Sequence, residues 1–311
     1  MLGRLALMTA CRELTRKAGR FGLLLAVVAS TSGCASSGLL DGLWGDDSST
    51  EAAAVTGDAI APDLASAKQG EAVAALYNKG LDRLNSGEFK SAAKQFAEVE
   101  RQFPYSSWAT KAILMQAYAF YRRNEYDDAV NASNRFITLH PGHRDAPYAY
   151  YLIALSNYER IVDVKRDQTN TQKALETLEE VARRFPDTPY ARDAAKKALL
   201  ARDHLAGKEM EVGRYYLTQG SYLAGINRFK RVVTDYQTTS HTPEALYRLA
   251  EGYMALGVTS EAQTAAAVLG HNFPQSQWYR DAYTLVSSDG LQPVENESSW
   301  ISKAFKSINP F

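Results

Sequence analysis

The stretch FPDTPYARDA, from Phe185 to Ala194, decides the fold because versions of it recur along the chain. Four other segments align with it without gaps, and the tenth residue of all five is alanine. The intervals between successive segments are 37, 45, 51 and 37 residues. A period in this range is typical of stacked-repeat architectures. The other segments are FPYSSWATKA (Phe103–Ala112), HPGHRDAPYA (His140–Ala149), YQTTSHTPEA (Tyr236–Ala245) and FPQSQWYRDA (Phe273–Ala282).

Each of these segments has the composition of a junction between two helices. The first residue is aromatic and can pack inward at the end of one helix. The proline that follows in four segments stops that helix, because it lacks an N–H donor and restricts the residue before it. Ser107, Thr188 and Ser276 then offer a side-chain oxygen that can cap the next helix. The small alanine at the tenth position lets that next helix approach its neighbour closely.

The residues before each junction predict a second helix with one apolar face. In the first repeat this helix extends from Gly87 to Phe103, and its apolar residues follow steps of three and four. They are Phe89, Ala92, Phe96, Val99 and Phe103, with matching series at Tyr126, Ala129 and Phe136 and at Tyr222, Ile226, Phe229, Val232 and Tyr236. Gly80 and Gly213 lie in the helix that precedes two of these series.

These positions resemble the helix–turn–helix unit of tetratricopeptide repeats. Leu76, Gly80, Ala92, Phe96 and Pro104 match the motif in the first repeat, whereas Ser133 replaces a large apolar residue in the second and Gln237 replaces proline in the fourth. One such unit cannot bury its apolar face alone, so units stack. The resemblance therefore implies an all-α superhelical solenoid of about five repeats plus a closing helix.

The spacing of the junctions gives the boundaries of this solenoid. We predict that it spans residues 71–288 and is followed by a C-terminal tail, 289–311. In the tail, Ile301, Phe305 and Ile308 share one face of a short amphipathic segment. The predicted repeats are about 72–106, 107–143, 144–188, 189–239 and 240–276, with the closing helix at 277–288.

Two of the intervals are longer than the others and predict local insertions. The interval of 45 residues leaves room for a loop from Val162 to Gln172. The interval of 51 residues implies lengthened helices in the fourth repeat.

The N-terminal residues 1–33 have the pattern of a secretory signal. Five basic residues precede the apolar run Phe21–Ala29, which is too short to span a bilayer. The block from Thr31 to Cys34 resembles a bacterial lipoprotein processing site. That resemblance implies that Cys34 is lipidated and becomes the first mature residue, and the Ala35 that follows it implies the outer membrane. Several acyl chains hold a protein on a bilayer almost permanently.

Residues 34–70 are predicted to be the lipidated N-terminus and a flexible tether. The segment is rich in Ser, Ala, Gly and Asp and shows no sustained period, so it cannot bury enough apolar surface to fold. Its apolar exceptions are compatible both with contact to the membrane or a partner and with ordinary linker residues. They are Leu39, Leu40, Leu43 and Trp44.

Composition and motifs argue against two broad functional classes. Without residues 1–33 the chain has 30 basic and 34 acidic residues, a net charge of −4, so no basic face for a nucleic acid is expected. The sequence contains no P-loop, nucleophile elbow or zinc motif. His140 and His143 flank a Pro-Gly turn at a repeat junction, which favours a structural turn. We therefore expect a binding protein with no cofactor and no metal.

Longer stretches are similar to one family, the BamD lipoproteins of the outer-membrane β-barrel assembly machine. These stretches are RRFPDTPYARDA, KEMEVGRYYLTQGSYLAGINRFKRVV and the loop containing RDQ, and the likeness covers about residues 71–288. It implies a lipid-anchored scaffold at the periplasmic face of the outer membrane. The implied partners are the barrel-forming subunit BamA at the C-terminal repeats, other Bam lipoproteins, and unfolded outer-membrane protein substrates at the N-terminal repeats.

The first helices of the first three repeats carry a candidate peptide-binding groove. Tyrosine combines a large contact area with one hydrogen-bonding tip, which suits binding surfaces. Lys111 and Arg122 could pair with a terminal carboxylate. Packing between adjacent helices is the alternative for about half of the tyrosines. The candidate residues are Tyr77, Leu81, Lys111, Leu114, Tyr118, Tyr121, Arg122, Tyr148, Tyr151, Leu155 and Tyr158.

Two other functions are compatible with an anchored repeat protein. One is a repeat lipoprotein in cell division or envelope maintenance, but such proteins often carry an N-terminal coiled coil and Ala35–Gln69 shows no heptads. The other is a lipid-anchored enzyme of the cell wall, which would need a catalytic constellation that the sequence does not show.

Overall fold

The computed structural model describes residues 64–306. Within this range the chain forms twelve α-helices and no β-strand, which confirms the predicted all-α solenoid. The predicted signal peptide 1–33, the lipidation residue Cys34, the tether up to residue 63 and the tail residue Ile308 lie outside the described residues.

Five helix pairs follow one another along the chain. Each helix packs against the next, and the first helices of the first four repeats also contact one another in order. Two further helices, α11 (Gln277–Ser288) and α12 (Trp300–Lys306), follow the last pair. The pairs are α1 (Leu64–Asn85) with α2 (Phe89–Gln102), α3 (Ser107–Arg122) with α4 (Tyr126–Leu139), α5 (Ala146–Tyr158) with α6 (Thr169–Arg184), α7 (Pro189–Thr218) with α8 (Tyr222–Asp235), and α9 (Thr242–Ala255) with α10 (Thr259–Asn272).

A glycine of the first helix makes room for an aromatic ring of the second in two of the pairs. A Cβ atom on Gly80 would lie 2.7 Å from Cε1 of Phe96, and one on Gly213 would lie 2.5 Å from Cε1 of Phe229. Both rings are fully buried. The same residues that suggested the repeat motif therefore set how closely the two helices approach.

The second repeat has different residues at the positions that correspond to Gly80 and Phe96. Ser133 lies 37 residues after Phe96, and Ala117 lies 37 residues after Gly80. Both are fully buried. The second repeat therefore has alanine and serine where the first has glycine and phenylalanine, and both positions remain fully buried.

The junctions between repeats have the predicted construction. Each second helix ends one residue before the aromatic position, whose backbone N–H donates to the carbonyl four residues earlier. The alanine at the tenth position is fully buried in all five junctions. The aromatic positions are Phe103, His140, Phe185, Tyr236 and Phe273.

Two of the three predicted helix caps are confirmed and one is wrong by a residue. Thr188 accepts from the N–H of Ala191 at 3.2 Å, and Ser276 accepts from the N–H of Trp278 at 3.2 Å. In α3, however, Ser106 and not Ser107 is the cap, and its hydroxyl accepts from the N–H of Ala109 at 3.1 Å. Ser106 has the extended backbone that a cap requires, whereas Ser107 is already helical.

The insertion in the third repeat is a short loop that one side chain organises. The loop connects Tyr158 to Thr169, so it begins and ends earlier than predicted. Gln168 is buried, and its amide nitrogen lies 3.1–3.3 Å from three loop carbonyls. The loop also packs on α7, where Cγ1 of Val164 would lie 3.2 Å from a Cβ on Gly207.

The extra length of the fourth repeat lies in α7 alone. This helix has 30 residues, whereas α8 has the usual 14. Arg202 of α7 pairs with Glu179 of α6 at 2.6 Å, and Glu209, further along α7, pairs with Arg231 of α8 at 2.7 Å. Successive parts of one long helix therefore contact the preceding repeat and the second helix of its own repeat.

The predicted start of the solenoid differs from the structure, whereas the predicted closing helix agrees with it. Helix α1 begins at Leu64, although the solenoid was predicted to begin at residue 71, and α11 coincides with the predicted closing helix at 277–288. None of the described helices has the length and apolar content that crossing a bilayer requires.

Candidate functional site

The first helices α1, α3 and α5 carry the predicted groove residues, and the structure separates these residues by burial. Tyr77, Leu114, Tyr148 and Tyr151 are buried, each with no more than 3% of its surface exposed. The remaining seven are at least partly accessible, and they are Leu81, Lys111, Tyr118, Tyr121, Arg122, Leu155 and Tyr158.

Tyr77 lies in the core of the first repeat. Its ring centroid is 5.4 Å from that of Phe96 and 5.0 Å from that of Trp108. Burial raises the pKa of Tyr77 well above its usual value, and the nearby Asp145 carboxylate adds to the effect. Tyr77 therefore joins the first two repeats by packing.

Five tyrosine side chains on α3, α5 and α7 lie close together. We call them the tyrosine cluster, and its members are Tyr118, Tyr121, Tyr148, Tyr151 and Tyr190. The ring of Tyr190 lies 5.4 Å from Tyr148 and 5.3 Å from Tyr151. Burial raises the pKa of Tyr148, and the four other phenols of the cluster raise it further. Burial also raises the pKa of Tyr190 to about 12. Tyr148 and Tyr190 therefore stay protonated at neutral pH.

Two hydroxyl groups of the cluster donate to carboxylates. Tyr121 donates to Glu159 at 3.2 Å, and Tyr151 donates to Asp193 at 2.5 Å. Lys197 forms an ion pair with the same Asp193 carboxylate at 2.8 Å. Burial alone would raise the pKa of Asp193, but the hydrogen bonds from Lys197 and Tyr151 lower it below its usual value. The floor of the cluster is thus a fixed polar network.

Two cations at this face lack an acidic partner. The ammonium of Lys111 lies 5.6 Å from the ring centroid of Trp108. The guanidinium of Arg122 lies 4.6 Å from the ring of Phe89 and donates to the hydroxyl of Tyr118 at 2.8 Å. Among residues 69–306 no carboxylate lies within ion-pair distance of either cation, so both are available to an incoming anionic group.

Sequence reasoning missed several aromatic residues of this face, although a signal for them exists. The sixth position of the junction segment is aromatic in three repeats, as Trp108, Tyr190 and Trp278. Each of these rings reaches back to a tyrosine on the first helix of the preceding repeat. The pairs are Tyr77–Trp108 at 5.0 Å, Tyr148–Tyr190 at 5.4 Å and Tyr247–Trp278 at 5.4 Å.

The C-terminal repeats combine the last of these aromatic pairs with a network of charges. The guanidinium of Arg248 lies 5.1 Å from the ring of Tyr247 and forms an ion pair with Glu251 at 2.8 Å. Glu244 lies 3.5 Å from Arg248 and 3.0 Å from Arg214 of α7. This surface differs from the tyrosine cluster in that alternating charges, not phenols, dominate it.

The described residues hold no cluster of three His, Cys, Asp or Glu side chains that could bind a metal ion. His140 and His143 pack on the ring of Phe136, at 5.6 and 5.5 Å between ring centroids. Both histidines therefore take part in the packing of a repeat junction.

A comparison with solved structures finds other tetratricopeptide-repeat proteins. One is the TPR2AB domain of yeast Sti1 in its complex with pHSP90. It is 13% identical in sequence, with 71% of this chain and 85% of that chain covered, and the TM-score is 0.37. That score carries no argument about function, and the fold is assigned from the helix pairs described above.

Comparisons of sequence are more specific. A family model described as outer membrane lipoprotein, YfiO, matches residues 69–269. The outer membrane protein assembly factor BamD of Caulobacter vibrioides is 51% identical over 219 residues, which cover 70% of this chain and 72% of that protein. The BamD of Rickettsia prowazekii is 47% identical over 216 residues, which cover 70% of this chain and 86% of that protein. The matched region contains all five helix pairs almost completely, and this chain therefore belongs to the BamD family of outer membrane lipoproteins.

Proposed function

We propose that this protein is a non-enzymatic scaffold in the assembly of outer-membrane proteins, held at the periplasmic face of the outer membrane by a lipid on Cys34. The observation that carries the proposal is membership of a family whose relatives are named outer membrane protein assembly factors. The tyrosine cluster supports it, because a surface of aromatic rings and fixed hydroxyl donors suits a polypeptide ligand.

The N-terminal repeats bind unfolded outer-membrane protein substrates in this proposal. An unfolded segment offers backbone carbonyls and amides along its length. The Tyr118 hydroxyl can donate to a carbonyl, and the Tyr121 hydroxyl, which donates to Glu159, can accept from an amide. Tyr118, Tyr121 and Tyr190 are the partly accessible members of the cluster, while Tyr148 and Tyr151 are buried. Contact with substrate is therefore assigned to the accessible residues, and shaping of the groove floor to the buried ones.

In this proposal, Lys111 and Arg122 make the groove prefer the C-terminal end of a peptide. Both are cations without an acidic partner among the described residues, and both lie against aromatic rings. A free C-terminal carboxylate with an adjacent aromatic side chain would match this combination of charge and ring. An ion pair formed beside apolar rings is also screened less by solvent than one on an open surface.

A peptide-binding measurement tests this assignment. The mature chain with Cys34→Ser is titrated with a short peptide that ends in phenylalanine, in its free-acid and C-terminally amidated forms. We expect Tyr118→Ala with Tyr121→Ala to weaken binding of both forms by about tenfold or more, as for the central residues of an interface. Lys111→Ala should weaken only the free-acid form.

The matched control is Tyr105→Ala. Tyr105 is fully exposed and belongs to none of the ring pairs of the cluster. Its replacement should leave the affinity unchanged. The same affinity in the double variant and in the control would contradict the groove, and a large drop in melting temperature in the double variant would place Tyr118 and Tyr121 in the core.

The C-terminal repeats bind the barrel-forming subunit in this proposal, and other Bam lipoproteins complete the complex. The network of Arg214, Glu244, Arg248 and Glu251 supports a polar, oriented contact. Affinity purification from membranes tests it, and an outer-membrane barrel protein with periplasmic repeats should be recovered. Recovery of only septal or peptidoglycan factors would instead favour a role in cell division or envelope maintenance.

A further inference from the structure

The described part of the C-terminal tail, residues 289–306, packs back onto the fourth and fifth repeats. Helix α12 contacts α8 and α10, which are the second helices of those repeats. The tail therefore connects the second helices of two successive repeats.

The segment between α11 and α12 follows α10 through hydrogen bonds. The side chain of Gln263 donates to the carbonyl of Gln292 at 2.7 Å, and the hydroxyl of Thr264 accepts from the N–H of Asn296 at 3.2 Å. The hydroxyl of Ser299 donates to Glu261 at 2.7 Å. These contacts guide the chain to the start of α12.

Apolar and aromatic side chains pack α12 against the solenoid. Ile301 is fully buried, and the ring of Phe305 lies 6.5 Å from that of Phe273. The indole N–H of Trp300 donates to the hydroxyl of Tyr253 at 3.1 Å, and the ammonium of Lys230 lies 4.8 Å from the indole ring. One short helix thus uses three large side chains to contact α8, α9 and the end of α10.

Gln237 shows that the fourth junction is adapted to this helix. The other four junctions have proline at this position. The side-chain amide of Gln237 donates to the carbonyl of Ala304 in α12 at 3.0 Å. Proline has no donor to offer, so the departure from the repeat motif coincides with the tail contact.

The fit between α12 and the solenoid is incomplete. A cavity of about 220 Å³ lies between α10 and α12, and His271, Glu295 and Lys306 are among its lining residues. The hydroxyl of Ser302 is buried and has no hydrogen-bond partner among the described residues. A helix of seven residues is also unstable by itself in water. Helix α12 is consequently stable only when it packs on the solenoid, and its packing there leaves a cavity and an unpaired hydroxyl.

We propose that α8, α10 and Gln237 form a docking site for a short amphipathic helix, and that the chain's own α12 is a releasable occupant of this site. Release would uncover Phe273, Tyr253 and Lys230. A replacing helix would need a buried aliphatic side chain, flanking aromatic rings and a free carbonyl for Gln237. This inference does not depend on the proposed function.

Hydrogen exchange of the full mature chain tests the seating of α12. Ile301→Asp places a charge in the fully buried contact, and we expect exchange across residues 292–306 to become about tenfold faster or more. Lys303→Asp is the matched control, because Lys303 lies on the exposed side of the same helix. The control should exchange like the wild type.

A competition experiment tests the docking site itself. A synthetic peptide of residues 296–311 should bind the Ile301→Asp protein saturably, and the wild type and the Lys303→Asp protein about tenfold more weakly or not at all, because their sites are filled. The same peptide carrying Ile301→Asp should not bind. Equal binding to all three proteins, or no binding to the Ile301→Asp protein, would overturn the proposal.

A milder variant covers the case in which Ile301→Asp unfolds the last repeats. Gln237→Ala removes one hydrogen bond to α12 and leaves the apolar contact in place. It should accelerate exchange in residues 292–306 severalfold while α1 to α6 exchange as in the wild type. Unchanged exchange in the tail of this variant would overturn the assignment of Gln237 to the docking site.

Discussion

The ring of Phe96 lies against the backbone of Gly80, where a Cβ atom would come within 2.7 Å of the ring carbon Cε1. We expect Gly80→Ala to lower the free energy of unfolding by about 1–3 kcal/mol, because the fully buried ring cannot move aside. This loss outweighs the gain of up to about 1 kcal/mol that alanine brings to a helix interior. Urea unfolding of the mature chain measures the difference.

Gly70→Ala is the control for this substitution. Gly70 lies in the same helix α1, and nothing lies within 4 Å of a Cβ placed there. It should therefore show only the gain in helix propensity. Stabilisation by both alanines would contradict the contact between Gly80 and Phe96.

Two buried serines should respond to alanine in opposite directions. The hydroxyl of Ser133 has no hydrogen-bond partner among the described residues, whereas that of Ser156 donates to the carbonyl of Leu152 at 2.7 Å. Ser133→Ala should leave the free energy of unfolding unchanged or raise it by about 1 kcal/mol, because an unpaired polar group leaves the core. Ser156→Ala should lower it by about 1 kcal/mol. Thermal unfolding compares the two, and equal losses would contradict the difference in pairing.

The Asp193 carboxylate should make the stability of the protein depend on acidity. Its pKa in the folded protein lies below the usual value, so its contribution is present above the unfolded-state pKa of about 3.9 and is lost as the pH falls. Tyr151→Phe removes one hydrogen bond that lowers this pKa. The variant should therefore lose less stability than the wild type on acidification.

Urea midpoints measured between about pH 3 and pH 7 test this prediction. Tyr150→Phe is a suitable control, because Tyr150 stacks on Phe185 and its hydroxyl makes no hydrogen bond to Asp193. A difference between Tyr151→Phe and the wild type that stays constant with pH would contradict the link to Asp193.

Membrane attachment should depend on Cys34. We expect Cys34→Ala to give a protein that is soluble in the periplasm, since no acyl chain can be attached to alanine. Fractionation of membranes after a high-salt wash measures this. Cys11→Ala is the control and should fractionate like the wild type, because Cys11 lies in the predicted signal peptide. Membrane fractionation of Cys34→Ala that matches the wild type would contradict the anchor.

The helix pairs were predictable because their signals are local. A proline after an aromatic residue stops a helix whatever surrounds it, and the residues of one helix face repeat at fixed steps. The buried alanines at the tenth junction position and the closing helix α11 follow from these rules. The cap residue of α3 does not follow from these rules, because Ser106 and Ser107 are the same residue type and differ only in backbone conformation.

The burial of individual groove residues could not be predicted to the same degree. Spacing places Tyr77 and Tyr118 on first helices, but the depth of each ring depends on the neighbouring repeat. Trp108 of the next repeat packs on Tyr77, whereas Tyr118, against which Arg122 of its own helix lies, stays half-buried. The seat of α12 depends on contacts between residues far apart in sequence, as between Gln237 and Ala304.

The length of helix α7 has a consequence for how the repeats are joined. Its 30 residues give one unbroken rod of about 45 Å that is clamped to α6 near one part and to α8 near another. Tyr190 lies in its first turn and Arg214 near its end, so one continuous helix joins the tyrosine cluster to the charged surface of the C-terminal repeats.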